Sequence, residues 1–443
     1  MAAPSQAPST VWLLPLFSWL ARIAARIYYR VRFAGTPVPP SGPVLLVANH
    51  PNSLLDPTLV VASADRPVRF LAKAPLFSDR KIGWLVKAAG AIPVYRRSDD
   101  PSLMSRNEEA FRAVFEALDG GSVVGIFPEG ISHGDPAMAP LRTGAARIAL
   151  GAAASLGDVF PIVPVGLSFR QKETFRSDAL VVRGTPLAWD DLAMRGSEDA
   201  DAVRELTARI DSALRAVTVN LSSWEDRPLV ECAVRIWEAE RATPSRDAER
   251  LARMEFTTSV LAGVRARGDE SGFELAEHVR RHDRRLTRLG LRPSDLVADV
   301  GAGRGVRWAA TRFHLLLPLG IVLALVGAAL FWVPYRLTGV IVNRLRLEQD
   351  VRSTWKLLIG AVLYAVWLAI LVTIAGVTLG WVAALASVLL VPAVAMSGLL
   401  VRERWQSAWS DARRFFLLRS RGPMIGKLRD EQRDLAARLD QLR

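Results

Sequence analysis

The chain has little cysteine: Cys232 is the one thiol among 443 residues. A single cysteine excludes an internal disulfide and a cysteine-rich metal site. Scarce cysteine is typical of proteins from a reducing compartment, so we expect the polar part of the chain to be cytoplasmic. Cys232 lies in an apolar helical pattern, which predicts a buried side chain rather than a reactive one.

Residues 1–10 contain no lysine or arginine, so the charged start of a cleaved secretion signal is missing. Residues 11–33 combine apolar side chains with four arginines at roughly helical spacing: Arg22, Arg26, Arg30 and Arg32. This pattern predicts an amphipathic helix in residues 1–40 that lies in the membrane interface. An ordinary amphipathic helix that covers the core of the protein remains the alternative.

The chain also lacks the marks of a nucleic-acid-binding protein, although its formal net charge is +13. It has no aromatic RNA-binding strand motif, no zinc-finger spacing and no basic helix-turn-helix signal. Apolar residues concentrate in 313–400, whereas charged residues concentrate in 226–312 and 401–443. Basic character beside long apolar runs indicates a membrane as the partner and argues against nucleic acid.

Two apolar stretches, residues 357–376 and 379–401, contain no charged residue, and each approaches the ~20 residues that cross a bilayer. Basic flanks on both sides predict a hairpin that crosses twice, with both flanks in the cytoplasm. Residues 313–335 have arginines before and after them, so we expect an interfacial or re-entrant element there; a crossing helix is the alternative. These features predict a multi-pass protein of the inner or plasma membrane, with residues 402–443 as a basic cytoplasmic tail.

Residues 41–225 alternate short apolar runs with helical patterns, which predicts an α/β domain with a layered, mainly parallel sheet and flanking helices. Residues 226–312 predict a charged helical arm that leads to the membrane segments of 313–401. In parallel sheets, chemistry concentrates at the carboxyl ends of the strands. The predicted strands are Val44–Ala48, Val68–Ala72, Ala91–Tyr95, Val123–Phe127, Ile162–Leu167 and Ala179–Val182.

Polar residues shortly follow three of these strands: His50, Arg96 and Glu129. A neutral imidazole can take a proton from an attacking hydroxyl, and a carboxylate such as Asp56 can hold the other ring nitrogen. Arg96 or the adjacent Arg97 can bind a phosphate with its planar guanidinium, and we favour Arg96. Lys73 and Arg142 are secondary candidates for that role. We favour direct attack by an acceptor hydroxyl over a covalent acyl-enzyme, because a thioester donor is already activated and needs only one base and an oxyanion site.

Four ordered segments resemble a known family: NHPNSLLDP at 49–57, GAIPVYR at 90–96, FPEGIS at 127–132 and IVPVGL at 162–167. They resemble the four motifs of the glycerolipid acyltransferase superfamily, which includes the lysophosphatidic-acid and glycerol-3-phosphate acyltransferases. The resemblance implies the α/β fold of that superfamily for about residues 41–190.

The resemblance also implies roles for individual residues. His50 would be the catalytic base and Asp56 its partner, and the acceptor site would consist of Arg96, Phe127, Pro128, Glu129 and Gly130. The acyl donor would be acyl-CoA or acyl carrier protein, and the acceptor a glycerol-phosphate lipid. No metal and no cofactor would take part.

One departure concerns the first motif. Five residues separate His50 from Asp56, where the superfamily usually has four. On a regular helix an extra residue would rotate Asp56 by ~100°, so the local turn must absorb it. The five-residue spacing is similar to that of the fungal-type glycerol-3-phosphate and dihydroxyacetone-phosphate acyltransferases.

The sequence therefore predicts a membrane-bound O-acyltransferase that moves a fatty acyl group to lysophosphatidic acid or glycerol 3-phosphate in phospholipid synthesis. The alternatives are an acyltransferase with a non-glycerol lipid acceptor and a non-catalytic lipid-binding protein on the same fold.

Three other features imitate functional motifs. The glycine-rich stretch Asp299–Gly305 is typical of methyltransferases, but an apolar span follows it directly, which indicates a linker. His278 and His282 have zinc-like spacing on an arginine-rich helix, and we interpret both as solvated surface residues. For His133, a substrate contact and a plain loop role both remain open.

Overall fold

The computed structural model describes residues 14–80, 83–95, 107–241, 247–297, 316–345 and 347–442. Arg96 and the stretch Asp299–Gly305 lie outside these residues. The chain divides into two compact units. We call the first the sheet unit (Met1–Trp224, Ser245–Phe256 and Glu348–Thr354) and the second the helical unit (Glu225–Pro244, Thr257–Leu347 and Trp355–Arg443).

The sheet unit contains one sheet whose strands are β1 (Arg30–Gly35), β2 (Val44–Ala48), β3 (Val68–Lys73), β4 (Ile92–Val94), β5 (Val123–Ile126), β6 (Ile162–Phe169) and β7 (Asp178–Arg183). Their order is β1-β7-β6-β2-β5-β3-β4. The neighbours are parallel except for the antiparallel pair of β6 and β7. The predicted α/β class with a mainly parallel sheet is confirmed.

β1 extends the sheet beyond the predicted strands. It pairs in parallel with β7, from Arg30 opposite Asp178 to Gly35 opposite Arg183. Gly35 has a φ of 86°, and a Cβ there would lie 1.9 Å from the Arg183 carbonyl oxygen. Only glycine fits so close a backbone approach at a positive φ. The arginines of this segment had indicated a continuing amphipathic helix, but the helix ends at Tyr28.

Helices cover the sheet: α1 (Leu14–Tyr28), α2 (Leu55–Ala64), α3 (Pro75–Ser78), α4 (Gly83–Ala88), α5 (Asn107–Asp119), α6 (Gly144–Leu156), α7 (Asp190–Ala193) and α8 (Ala200–Val217). The main core joins the sheet to α5, α6 and α8 through buried side chains such as Val114, Ile148 and Leu206. α1 packs on α2, which contacts β3, β6 and β7. β2 buries all of its side chains, as expected for a parallel strand covered on both faces.

The second unit is helical, with α9 (Arg227–Glu240), α10 (Asp247–Arg267, which begins in the sheet unit), α11 (Glu270–Leu289), α12 (Pro293–Val297), α13 (Leu316–Arg344), α14 (Gln349–Leu379, which begins in the sheet unit), α15 (Trp381–Ser420) and α16 (Gly422–Asp440). Cys232 on α9 is buried, as predicted. His282 on α11 is also fully buried, and this burial lowers its pKa. The interpretation of His282 as a solvated surface residue is therefore wrong, because α11 packs that face against α9 and α16.

Three helices are long and apolar enough to cross a membrane: Ile321–Arg344, Val351–Leu379 and Trp381–Ser420. Residues 316–344 form one unbroken helix that continues through Pro334; the expected interfacial or re-entrant element in this region stays a prediction. α13 packs on α15 through glycines, since a Cβ at Gly398 would lie 2.8 Å from the Leu323 carbonyl oxygen. Small residues at such contacts are typical of helix packing inside membranes.

Candidate active site

The site lies at the carboxyl edge of the central strands. β2 is parallel to both β5 and β6, so the carboxyl ends of all three lie on one edge of the sheet. His50 follows β2 by two residues and Glu129 follows β5 by three. The His50 backbone N–H donates to Glu129 Oε1 at 2.7 Å. The structure therefore brings these two predicted residues into direct contact.

His50 and Asp56 form a hydrogen-bonded pair. The distance from His50 Nδ1 to Asp56 Oδ2 is 2.8 Å. The His50 side chain is 19% exposed, whereas the Asp56 carboxylate is fully buried. Burial raises the pKa of the Asp56 carboxyl above its ordinary value, and the hydrogen bonds from His50 and the Asn52 backbone oppose that rise. No group in the described part of the chain hydrogen-bonds His50 Nε2, so this nitrogen is available to a substrate.

A tight turn absorbs the extra residue between His50 and Asp56. Ser53 adopts a left-handed conformation with a φ of 48°, which is uncommon for a residue other than glycine. Its N–H donates to Ser132 Oγ at 2.9 Å, and α2 begins two residues later at Leu55. Asp56 thus lies in the first turn of α2 with its carboxylate directed back to His50.

Aromatic stacking orients the imidazole. The His50 ring stacks on Phe127 at a centroid distance of 4.0 Å and an angle of 10°. Phe127 in turn stacks on Phe70 at 5.4 Å. Gly125 makes room for this arrangement, because a Cβ there would lie 2.4 Å from Phe70 Cε1. The phenylalanine of the FPEG segment therefore has a visible role in holding the plane of His50.

Glu129 is almost fully buried and braces the surrounding loops. Besides the His50 backbone, its carboxylate accepts from the Ala139 backbone at 2.7 Å and lies 2.5 Å from His133 Nε2. The His133 backbone N–H donates back to the His50 carbonyl at 3.2 Å. This geometry assigns His133 a place in the loop framework next to His50, a role that the sequence alone left open.

The turn that follows Pro128 lies close to Arg142. The Arg142 backbone N–H donates to the Pro128 carbonyl at 2.7 Å. Gly130 has a φ of 73°, and a Cβ there would lie 3.5 Å from Arg142 Cγ. The exposed Arg142 side chain is thus adjacent to the predicted acceptor segment.

Asn107 holds the backbone of Tyr95, the residue that follows β4. Arg96 itself lies outside the described residues. Asn107 accepts from the Tyr95 backbone N–H at 2.8 Å and donates to the Tyr95 carbonyl at 2.6 Å. β4 is parallel to β3, and β3 is parallel to β5. The carboxyl end of β4 therefore lies at the same edge of the sheet as those of β2 and β5.

Two residues of the site, Asn49 and Asn52, were not singled out by the sequence analysis. Asn49 joins the first motif to β6 by a pair of bonds with the Leu167 backbone, at 3.1 and 2.7 Å. The Asn52 backbone N–H donates to Asp56 Oδ2 at 2.6 Å, and its side chain donates to Tyr29 Oη at 2.7 Å. The two asparagines near His50 could have indicated a hydrogen-bonded site. Their roles were not predictable, because partners such as Leu167 and Tyr29 are distant in sequence.

Among the residues that the structure describes, no group of three or more His, Cys, Asp or Glu side chains could hold a metal ion.

Comparison with known proteins agrees with this geometry. The family model described as Acyltransferase matches residues 30–168, a range that contains His50, Asp56 and Glu129. The chain is 26% identical over 275 residues to Glycerol-3-phosphate O-acyltransferase 2 of Saccharomyces cerevisiae, which covers 58% of this chain and 36% of the relative. The predicted resemblance to glycerolipid acyltransferases is confirmed.

Two bacterial acyltransferases are also similar to this chain. The chain is 34% identical over 153 residues to the lyso-ornithine lipid O-acyltransferase of Pseudomonas aeruginosa, with 34% of this chain and 53% of the relative covered. It is 30% identical over 145 residues to the 1-acyl-sn-glycerol-3-phosphate acyltransferase of Bacillus subtilis, with 32% and 65% covered. The chain thus spans between about a third and two thirds of each of these three relatives.

Proposed function

From the acyltransferase domain at residues 30–168, we propose that the protein is a membrane-bound O-acyltransferase of glycerophospholipid synthesis. It transfers a fatty acyl group from acyl-CoA or acyl carrier protein to a hydroxyl of glycerol 3-phosphate or lysophosphatidic acid. The observation that carries this proposal is the pair of His50 and Asp56 at 2.8 Å, with His50 Nε2 directed at no other described group.

The pair supports a general-base mechanism. His50 Nε2 takes the proton of the acceptor hydroxyl while the hydroxyl oxygen attacks the thioester carbonyl. Asp56 holds Nδ1, fixes the ring orientation and stabilises the imidazolium that forms. The tetrahedral intermediate then expels the thiolate, which takes the proton from His50. The ester product and a free thiol leave, and no covalent acyl-enzyme is needed.

Two arginines are assigned to the acceptor phosphate. Arg96 follows Tyr95 in the sequence, shortly after the carboxyl end of β4, and Arg142 lies against Gly130 of the FPEG segment. A guanidinium forms two parallel hydrogen bonds with a phosphate, which orients the acceptor as well as binding it. We assign the phosphate primarily to Arg96, with Arg142 as a second contact.

The apolar helices support a membrane location. α15 carries apolar side chains that have no protein cover, such as Leu389 at 76% exposed and Val382 at 61%. In water such a surface would be unfavourable, whereas lipid covers it at no cost. We place the protein in the inner or plasma membrane with the sheet unit in the cytoplasm, where acyl thioesters are made.

The test uses the purified full chain in detergent micelles with radiolabelled acyl-CoA. Glycerol 3-phosphate, lysophosphatidic acid and a lyso-ornithine lipid are supplied in parallel, and both labelled product and free thiol are measured. We expect acceptor-dependent thiol release with a glycerol phosphate, and none from the variant His50→Ala. Folded protein that acylates none of the three acceptors would contradict the proposal.

A second candidate acceptor has its own support. The similarity to the Pseudomonas aeruginosa relative favours a lipid without a glycerol phosphate. In that case the lyso-ornithine lipid would be acylated in the same assay, and activity with glycerol phosphates would be low.

A further inference from the structure

The start of α14 belongs to the sheet unit, although the rest of the helix does not. α14 runs from Gln349 to Leu379, but its residues up to Thr354 group with the sheet. Ser353 in this first turn is fully buried. A buried hydroxyl in an apolar helix requires a polar partner, so the contacts of Ser353 indicate what this turn does.

The partner of Ser353 is a backbone carbonyl near the active site. Ser353 Oγ donates to the Lys172 carbonyl oxygen at 2.7 Å, in the loop that follows β6. The Tyr29 hydroxyl donates to the same oxygen. Arg352 reinforces the contact through an ion pair with Glu173 at 3.4 Å. The first turn of α14 is therefore attached to this loop at two successive residues.

The same hydrogen bonds lead to the catalytic pair. Asn52 Nδ2 donates to Tyr29 Oη at 2.7 Å, and the Asn52 backbone N–H donates to Asp56 Oδ2 at 2.6 Å. The side chains of Tyr29, Asn52 and Asp56 are fully buried. Hydrogen bonds shielded from water are strong, and a missing member of such a network is costly. A second link runs from Lys172 Nζ to the Pro51 carbonyl at 3.1 Å.

We propose that Ser353 is a positioning residue for the catalytic pair, acting through the Lys172 carbonyl, Tyr29 and Asn52. The proposal rests on the proposed function, since it assumes that His50 and Asp56 perform the transfer. Ser353 touches neither substrate; it holds the loop against which Asn52 orients Asp56. The catalytic geometry then depends on the first turn of a candidate membrane helix, and a chain cut before Glu348 would lack part of its active site.

The first measurement separates turnover from binding. Ser353→Ala removes one buried hydrogen bond, so we expect kcat to fall about tenfold. The KM values for donor and acceptor should stay within about twofold, because no substrate contact is lost. Ser353→Thr retains a hydroxyl and should restore most of the rate. Thr373→Ala is the matched control, because among the described residues Thr373 Oγ1 bonds to the Ala369 carbonyl in the same helix and to no other group.

The second measurement does not depend on activity. Amide hydrogen exchange followed by mass spectrometry reports the mobility of the peptide that covers residues 49–56. In Ser353→Ala we expect exchange in this peptide to rise about tenfold, because the loop at Lys172 holds Tyr29 and Asn52 less firmly. Exchange in the core peptide of β2 and in the Thr373→Ala variant should match the wild type.

A third variant tests whether Ser353 acts on the catalytic pair through Tyr29. Tyr29→Phe removes the hydroxyl that joins Asn52 to the Lys172 carbonyl. If Ser353 acts through Tyr29, the double variant should lose no more kcat than Tyr29→Phe alone, because residues in one network are not additive. Losses that multiply in the double variant would overturn the route.

The outcomes distinguish this inference from the proposed function. Unchanged exchange at residues 49–56 in Ser353→Ala, or a kcat equal to that of Thr373→Ala, would overturn the positioning role. A loss that Ser353→Thr does not restore would do the same. If the wild type transfers no acyl group but exchange at 49–56 still rises, the structural link stands and the proposed function fails.

Discussion

In the sheet unit, strand β2 buries all of its apolar side chains, whereas in α15 the apolar Leu389 is 76% exposed. The two regions are similarly rich in aliphatic residues but face different surroundings. The sheet unit buries its apolar surface in its own core and keeps its polar groups for chemistry. The apolar helices leave much of their surface exposed, and in the proposed location lipid covers it. An apolar sequence thus indicates burial, but only the fold shows whether protein or membrane provides it.

The largest expected effect tests the chemical side of this comparison. His50→Ala should lower kcat by ~10³-fold or more, because the proposed general base is lost. Folding and membrane insertion should not change, since the His50 ring is partly exposed. The control is His133→Gln, which lies beside Glu129 and should retain more than about a tenth of the rate. A His50→Ala rate above a tenth of the wild type would remove His50 from the mechanism.

Asp56→Asn should lower activity without lowering the stability of the fold. We expect kcat to fall by about 10²-fold or more, since an amide cannot stabilise an imidazolium. The raised pKa of Asp56 means that the folded state holds the proton more tightly than the unfolded state. Ionisation of this buried carboxyl therefore lowers the free energy of unfolding, and the stability is lost as pH rises through the folded pKa.

The thermal midpoint of Asp56→Asn should accordingly equal or exceed that of the wild type. The difference should be larger above the folded pKa than below about pH 4, where the carboxyl is protonated in both the folded and the unfolded state. The exposed Asp119→Asn serves as the control and should show neither effect. A midpoint of Asp56→Asn that falls below the wild type as pH rises would contradict the assigned cost of burying this carboxylate.

Leu389→Lys tests the membrane side of the comparison. A lysine near the centre of a spanning helix costs about 2.5–3.5 kcal/mol on insertion. We expect a marked loss of membrane-integrated protein, measured by carbonate extraction and quantitative blotting. Phe416→Lys is the control, because Phe416 is also exposed on α15 but lies beyond the uncharged stretch. Equal integration of both variants would show that α15 does not cross where we place it.

Arg96→Ala should affect acceptor binding selectively. Loss of a charge-assisted phosphate contact costs about 1.5–3 kcal/mol, so the acceptor KM should rise at least about tenfold. The KM of the acyl donor should stay nearly constant. Arg142→Ala should produce a smaller rise, as expected for a secondary contact. Equal effects of Arg96→Ala on both substrates would contradict the assignment.

The last prediction concerns the membrane topology of the apolar helices, and we expect no effect on activity. In a Cys232→Ser background, Trp308→Cys, Arg344→Cys, Leu379→Cys and Ser410→Cys are probed on intact cells with a membrane-impermeant thiol reagent. The basic flanks predict labelling at position 379 alone. Labelling at 344 instead would place α13 across the bilayer, as its glycine contact with α15 favours.

Local patterns were sufficient for the sheet and for its polar edge. Short apolar runs between turns located most strands within two residues, because a buried parallel strand leaves a continuous apolar signature. β1 was missed because its alternating arginines also fit a helix. The burial of His282 was missed because an arginine-rich surface pattern does not show which face a neighbouring helix covers.

The sequence alone determined the chemical groups and their order: His50, Asp56 and the FPEG segment, each following a strand of a parallel sheet. The tertiary structure decided how they work together. The left-handed turn at Ser53 returns Asp56 to His50, Phe127 orients the ring, and Ser353 reaches Lys172 from 181 residues away. Such contacts depend on packing between distant segments, and side-chain periodicity carries no information about them.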